Sequence, residues 1–170
     1  MKYVLGIAIL SLFVLGCGES SQEEVQPPNM DWVQRQARIN AADSLVFGTS
    51  YLPVYSRIYH HKRGKTFGLT ITASLRNVST TDTVYLLSAD LYGTSGNLER
   101  SYLENPVYLN PMETLEIVIE ETEEDGGTGG NFLFEWGVPK GDDPPFFEAV
   151  MISTLGQQGI SFTTRGNEVD

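Results

Sequence analysis

The chain has few of the residue types that many functions require. Its 170 residues include one cysteine and two histidines, and 11 basic residues stand against 22 acidic ones. A single cysteine excludes an intramolecular disulfide and any cysteine-based metal cluster. The formal net charge of −11 argues against nucleic acid or anionic lipid as the main partner, because both would repel the protein.

Sequence motifs of known catalytic sites are absent as well. There is no G-x-S-x-G nucleophile motif, and two histidines leave little material for a Ser-His-Asp triad. Glu135 and Glu148 are candidates for a glycosidase carboxylate pair, but any acidic protein offers such pairs. We therefore expect a non-catalytic protein without a cofactor, and a cell-wall glycan hydrolase is the less favoured alternative.

The N-terminus has the pattern of an export signal. Lys2 precedes an apolar run from Tyr3 to Leu15, and the small residue Gly16 precedes Cys17. The run is too short for a transmembrane helix, which needs roughly 20 apolar residues. This stretch resembles a bacterial lipoprotein signal peptide (residues 1–16) with its lipobox. The resemblance implies that Cys17 becomes the first residue of the mature protein and carries acyl chains such as palmitate, which together give stable membrane anchoring.

Such an anchor implies an exported protein that is held in the bacterial cell envelope by its lipid. Gly18, rather than an aspartate, follows the cysteine, and in diderm bacteria of the enteric type this favours the outer membrane. Residues 17–45 are expected to form a polar tether, with a short helix over residues 30–42 as one option. Within that segment, Trp32 is expected to pack on the folded domain.

Beyond the tether, apolar residues recur at every second position, which is typical of β-strands. In the run from Leu69 to Leu75 the odd-numbered residues are apolar and the even-numbered ones carry hydroxyl groups. Pro53 predicts an edge or bulged strand for the run that contains it. Similar runs between turn-forming residues predict about eight strands within residues 46–166. We therefore predict an all-β fold with a single Ig-like β-sandwich of antiparallel strands, followed by a tail at residues 167–170.

Four segments of this domain carry a resemblance to a known family. They are YLPVYSRIYH (51–60), LTITASLRN (69–77), EEDGGTGGNFLFEW (123–136) and EAVMISTLGQQGISFTTRG (148–166). In this order they resemble a bacterial family of unknown function whose members are short secreted proteins or lipoproteins. The resemblance covers about residues 50–166. It implies no activity, substrate or catalytic residue, so it leaves the function open.

Tyrosines are numerous in the domain, and three of them recur at equal spacing. Tyr51, Tyr55 and Tyr59 have the same parity in a run that is expected to form one strand, so their side chains would share a face. Core packing is the ordinary role of such residues, but a surface row of rings could stack on sugars. These three are therefore candidates for contact with a glycan or a protein partner.

Residues 57–65 (RIYHHKRGK) contain both histidines and four of the 11 basic residues. Neighbouring side chains of a strand point to opposite faces, so His60 and His61 would chelate one ion poorly unless they lie in a loop. The expected structure is a solvated hairpin with Gly64 at its tip. An anion or glycan-phosphate contact and a transition-metal site at the two histidines are the alternatives.

Residues 120–131 (EETEEDGGTGGN) place five carboxylates beside four glycines. A phosphate cradle is excluded, since no lysine follows the glycines and no helix starts there. The carboxylates lack the alternating spacing of calcium loops, yet calcium binding that includes Glu124 and Asp125 stays open. The expected structure is a flexible, charged hairpin loop that protects a strand edge, with partner binding through Asp125 and Asn131 as the alternative.

These features favour an envelope-anchored, non-catalytic binding or structural module that meets an envelope protein or a glycan, and no nucleic acid. The alternative is a periplasmic protein that binds calcium or a transition metal through His60, His61, Glu124 and Asp125.

The anchor generates a first prediction. Cys17→Ser removes the thiol that would be lipidated, so the variant should lose a metabolic fatty-acid label and be released from the membrane fraction. Ser20→Ala lies in the same tether and leaves the thiol in place, so it should keep the label and stay with the membranes. A Cys17→Ser protein that stays labelled and membrane-bound would show that the lipoprotein interpretation is wrong.

Overall fold

The computed structural model describes residues 32–39, 44–123, 125–154 and 159–169. Cys17, the export signal and most of the tether lie outside the described residues, so the predictions about them stay predictions. The described residues form strands and turns but no helix. This part of the chain therefore has no helical segment that could cross a membrane.

The fold is all-β, as predicted, and the described part of the chain has twelve strands instead of about eight. They are β1 (Leu45–Val54), β2 (Arg57–His60), β3 (Lys62–Gly68), β4 (Thr70–Arg76), β5 (Val84–Tyr92), β6 (Leu98–Ser101), β7 (Val107–Leu109), β8 (Thr114–Ile119), β9 (Gly130–Pro139), β10 (Phe146–Ser153), β11 (Ile160–Arg165) and β12 (Asn167–Val169). Two of the additional strands, β7 and β12, have only three residues each. Alternation over so few residues is too brief to be recognised in a sequence.

The strands form two larger sheets and a separate hairpin. The six-stranded sheet has the order β12-β1-β9-β5-β6, and β7 also pairs with β5. The four-stranded sheet has the order β11-β10-β4-β8, and β2 and β3 form the hairpin. The strand pairs are antiparallel. Buried side chains of both larger sheets form one core, which gives a sandwich-like arrangement, whereas the Ig-like character of the sandwich stays a prediction.

Both ends of the domain differ from the expectation. Asn167–Val169, which was expected to be a tail, forms β12 and pairs with β1. The described residues 32–39 form turns and an isolated bridge from Gln36 to Val107 instead of part of a helix. Trp32 packs against the core, as predicted. The domain therefore includes part of the segment that was assigned to the tether.

The core is built by alternation along the strands and by stacked phenylalanine rings. In β9, Phe132, Phe134 and Trp136 point inward and are at most 2% exposed. The ring of Phe134 stacks on Phe132, with centroids 5.2 Å apart, and on Phe147 of the opposite sheet, with centroids 4.5 Å apart. Burying one such side chain contributes roughly 1.5–3 kcal/mol. The stack therefore holds the two sheets together.

The indole of Trp136 explains two small residues of β1. Its Nε1 donates a hydrogen bond of 3.0 Å to Oγ of Ser50, so neither buried polar atom is left unpaired. A Cβ at Gly48 would lie 2.3 Å from Cζ2 of the indole. A glycine is therefore required where β1 passes this ring.

Asn77, in the turn after β4, is a buried polar residue that joins separate chain segments. Its side-chain nitrogen donates to the carbonyl oxygens of Asp82 (2.8 Å), Leu109 (3.1 Å) and Asn110 (3.0 Å). Its Oδ1 accepts a 2.9 Å hydrogen bond from the backbone N–H of Ser79. This one side chain therefore fixes the β4–β5 connection against the end of β7.

Removal of the Asn77 amide should destabilise the fold strongly. We expect Asn77→Ala to lower the free energy of unfolding by about 3 kcal/mol, because each buried polar group left unpaired costs about 1–3 kcal/mol. Thr80→Ala, at an exposed position of the same turn, should change it by less than about 0.5 kcal/mol. Denaturant unfolding followed by tryptophan fluorescence measures both variants, and equal stabilities would contradict the role of Asn77.

Candidate functional site

Aromatic side chains cover the side of the six-stranded sheet that points away from the core. The inward residues of β9 alternate with Asn131, Leu133 and Glu135, which point outward. The register of β1, β5 and β7 then places further outward side chains beside them. We call this surface the outer aromatic face, and its residues are Phe47, Thr49, Tyr51, Tyr85, Asp90, Tyr92, Tyr108, Asn131, Leu133 and Glu135.

Tyr51 lies on β1, beside the β9 residues in the middle of the outer aromatic face. It is opposite Leu133 of β9, which in turn is opposite Asp90 of β5. Asn131 lies two residues before Leu133 and opposite Tyr92, so it is a diagonal neighbour of Tyr51 at about 7–8 Å. The Tyr51 side chain stays 38% exposed. An exposed ring, an amide and a carboxylate are thus available within one small area.

A second exposed ring lies on the same strand. Phe47 is 58% exposed and borders a shallow depression of about 310 Å³, whose lining also includes Thr49, Leu87 and Glu135. At about 3.3 Å per residue, Phe47 and Tyr51 are roughly 13 Å apart along β1. The outer aromatic face therefore offers two accessible rings with hydroxyl and carboxylate groups between them, which suits an extended ligand.

Only Tyr51 of the three predicted tyrosines lies on this face. The chain leaves β1 before Ser56, so the three tyrosines do not share one strand. Tyr55 packs edge-on against Phe162, with centroids 5.9 Å apart, and Tyr59 lies on the β2–β3 hairpin, where it is 64% exposed. The predicted row of three rings is wrong, because equal parity places residues on one face only within an unbroken strand.

Several rings of the outer aromatic face were not expected to accompany Tyr51. Phe47, Tyr85, Tyr92 and Tyr108 come from three strands, and their proximity depends on the register between those strands. Parity within each strand can be read from a sequence, but this register cannot, since it is set by contacts between distant residues. The one local signal is the alternation in NFLFEW (131–136), which separates the two faces of β9.

The two histidines lie at the exposed end of the β2–β3 hairpin. His61 has a φ of 56°, and in this left-handed conformation its ring lies on that of His60, with centroids 3.8 Å apart. His61 therefore lies in the turn between β2 and β3, where the alternation of side chains along a strand does not apply to the pair. Gly64, which has a positive φ of 84°, lies within β3, whereas the turn between the two strands is at His61. The prediction that Gly64 forms the tip of the hairpin is therefore wrong. The described residues hold no group of three or more His, Cys, Asp or Glu side chains suited to a metal, and Glu124 lies outside them.

The glycine-rich loop between β8 and β9 is folded against the sandwich, and the prediction of a flexible loop is wrong. The N–H of Gly127 donates to Oγ of Ser56 at 2.9 Å, and its carbonyl accepts from the N–H of Ser56 at 3.1 Å. Oγ1 of Thr94 donates to the carbonyl of Gly126 at 3.1 Å. These bonds span 71 and 32 residues of sequence, so no local pattern indicates them.

Asp125, a candidate for both metal and partner binding, is held by an arginine. The guanidinium of Arg100 forms ion pairs with Glu123 (2.8 Å) and Asp125, and its Cζ lies 5.6 Å from the centroid of the Tyr102 ring. Burial raises the pKa of Tyr102 above its ordinary value, and the positive charge of Arg100 opposes that shift. Because its carboxylate is already paired with Arg100, Asp125 is a poor candidate for binding a metal or a partner. Asn131, the other partner-binding candidate of this segment, lies on the outer aromatic face.

The two carboxylates considered as a hydrolase pair lie on opposite sides of the molecule. Glu135 points outward from the six-stranded sheet. Glu148 points outward from the four-stranded sheet and accepts a 2.9 Å hydrogen bond from Nε of Arg76. The two carboxylates of a glycosidase must flank the same bond, so these two cannot form one active site.

The two packed sheets place the chain among all-β domains of sandwich-like architecture. It belongs to the family described as Protein of unknown function (DUF3124), whose sequence model matches residues 47–169, and this confirms the resemblance to a family of unknown function. No curated protein matches the chain. The crystal structure of Thermotoga maritima 1070 is similar to it, with 11% sequence identity and a TM-score of 0.44, over 71% of this chain and 92% of that chain.

The close approach of two glycines generates a prediction for the loop. A Cβ at Gly130 would lie 2.5 Å from Cα of Gly126, so Gly130→Ala must displace backbone. We expect it to lower the free energy of unfolding by about 1–3 kcal/mol. Gly129→Ala is the matched control, because the atoms nearest to its Cβ, from Thr94, would be 3.7 Å away. Equal midpoints of the two variants in denaturant unfolding would contradict the packing of this loop.

Proposed function

We propose that the protein is a lipid-anchored, non-catalytic binding module of the bacterial cell envelope, whose outer aromatic face binds an envelope glycan. The observation that carries this proposal is the grouping of Tyr51, Asn131 and Asp90 on one open sheet surface. The family description leaves the function open, so the proposal rests on the chemistry of this surface and on the export signal.

The chemistry of the outer aromatic face fits a carbohydrate. Aromatic rings stack on the C–H groups of a sugar, while amide, hydroxyl and carboxylate groups bind its hydroxyls. Asn131 lies opposite Tyr92 and diagonal to Tyr51, and Glu135 borders the depression beside Phe47. Protein interfaces also use aromatic residues but are enriched in arginine, and the outer aromatic face as defined includes none. A glycan therefore fits better than a protein.

The shape of this face supports binding without catalysis. It is an open sheet surface with a shallow depression, whereas glycoside hydrolysis requires two carboxylates that flank one bond. The outer aromatic face does carry two carboxylates, those of Asp90 and Glu135. Asp90 accepts a 2.6 Å hydrogen bond from Oγ of Ser101, which holds one of its oxygens in place, while the carboxylate keeps further acceptor positions for a sugar hydroxyl.

The proposed anchor would compensate for a weak affinity. If Cys17 carries lipid, residues 17–45 connect the membrane to the domain as a tether. A ligand fixed in the same envelope is then met at a high effective concentration, so a shallow binding surface suffices. Export through the signal of residues 1–16 would place the domain in the compartment that contains such glycans.

Loss of the Tyr51 ring should weaken glycan binding. We expect Tyr51→Ala to reduce the affinity of the detergent-solubilised protein for protein-free envelope polysaccharide by about 1–2 kcal/mol, or roughly 5- to 30-fold. Ile152→Ala is the matched control, because Ile152 is 43% exposed on the outer side of the other sheet. Co-sedimentation with the polysaccharide measures both, and equal binding of both variants and the unaltered protein would overturn the proposed site.

A further inference from the structure

The β2–β3 hairpin is a basic projection on an acidic protein. Residues 57–65 contain four of the 11 basic residues and no acidic residue. Since the chain has a formal net charge of −11 and this segment contributes four positive charges, the remainder carries a charge of −15. The hairpin thus differs in sign from the rest of the molecule.

The end of the hairpin is exposed, and its cationic side chains have no ion-pair partner among the described residues. Residues 60–65 are all exposed. Within the part of the chain that the structure describes, the side chains of Lys62, Arg63 and Lys65 form no ion pair. Three cationic groups are therefore available to an external anion.

The base of the hairpin, in contrast, is fixed to the sandwich. Ile58 and Phe67 pack against the core. The N–H of Leu69 donates to the carbonyl of Ser56 at 2.8 Å, and the carbonyl of Gly127 accepts from the N–H of Ser56 at 3.1 Å. The direction in which the charged end projects is therefore set by the fold.

Glu121, in the loop between β8 and β9, lies at the base of the hairpin and not at its end. A Cβ at Gly68 would lie 2.8 Å from Cγ of Glu121. The side chain of Glu121 therefore lies beside Gly68. Gly64 is four residues further along β3, or roughly 13 Å at about 3.3 Å per residue. This distance exceeds the Debye length of about 8 Å at physiological ionic strength. The end of the hairpin therefore presents a positive potential.

We propose that this hairpin end, residues 59–65, docks on the anionic headgroups of a lipid bilayer. Tyr59 is 64% exposed and precedes Lys62 and Lys65 on the same projection. Aromatic rings favour the depth of the headgroups, and lysine and arginine are attracted to anionic lipid. The net negative charge of the whole protein opposes binding to an anionic surface at long range. At contact, salt screens the distant charges, so the positive charge of the hairpin end determines the interaction. Docking would orient the sandwich on the membrane through a contact separate from Cys17.

Hydrogen exchange of the hairpin amides tests this proposal in the full-length protein reconstituted in vesicles. On vesicles that contain phosphatidylglycerol, peptides covering residues 57–68 should exchange more slowly than on purely zwitterionic phosphatidylcholine vesicles. The protection should disappear in about 1 M salt, where the Debye length is about 3 Å. The measurement is local to the hairpin, so it depends neither on lipidation of Cys17 nor on the ligand of the outer aromatic face.

Two double variants with the same change in net charge separate the hairpin from general charge effects. Lys62→Gln with Lys65→Gln should lower the docking equilibrium constant roughly 30-fold, since each cation near an anionic surface contributes about fivefold. Arg38→Gln with Lys140→Gln, at exposed positions elsewhere, should leave it unchanged. Equal protection on both kinds of vesicle, protection on neither, or equal protection by a soluble anionic polysaccharide would overturn the proposal.

Discussion

Strand β9 is the element on which the rest of the structure depends. It pairs with β1 on one side and with β5 on the other. Its inward side chains supply two members of the phenylalanine stack that joins the sheets, and its outward side chains lie in the middle of the outer aromatic face. One strand serves both core and surface, because successive side chains of a strand point to opposite sides. The pairing register of β9 therefore determines which side chains meet on the outer aromatic face.

The glycine-rich loop is the connection that leads into this strand. Gly130 begins β9 in close contact with Gly126, while Ser56 and Thr94 bind the loop from the hairpin base and from the β5–β6 turn. The glycines are not a sign of flexibility, since Gly126 and Gly127 have φ values of 93° and 66° that glycine adopts without steric cost. Through this loop, the positions of the basic hairpin and of the outer aromatic face are linked.

Local patterns in the sequence predicted the features that depend on alternation within one strand. They missed the features that depend on the pairing register between strands. The period of two over residues 69–75 predicted a strand whose odd-numbered, apolar side chains share one face, and these side chains are buried. Tyr51 and Asn131 were both candidates for partner contact, but their proximity depends on the pairing of β1 with β9. Tyr55 and Tyr59 left the expected row because the chain turns at a residue bound to a loop 71 positions away. Long-range hydrogen bonds of this kind have no local sequence signature.

The outer aromatic face is the surface through which we propose that the protein meets its ligand. The most direct measurement places a photo-cross-linking amino acid at Leu133, on that face, or at Val150, on the outer side of the four-stranded sheet, in cells that produce the protein. Both positions lie on strands that have neighbours on both sides, so the two probes differ mainly in the face they occupy. We expect adducts with envelope polysaccharide from Leu133 and none from Val150. Adducts from Val150 alone, or from neither position, would contradict the proposed role of the outer aromatic face.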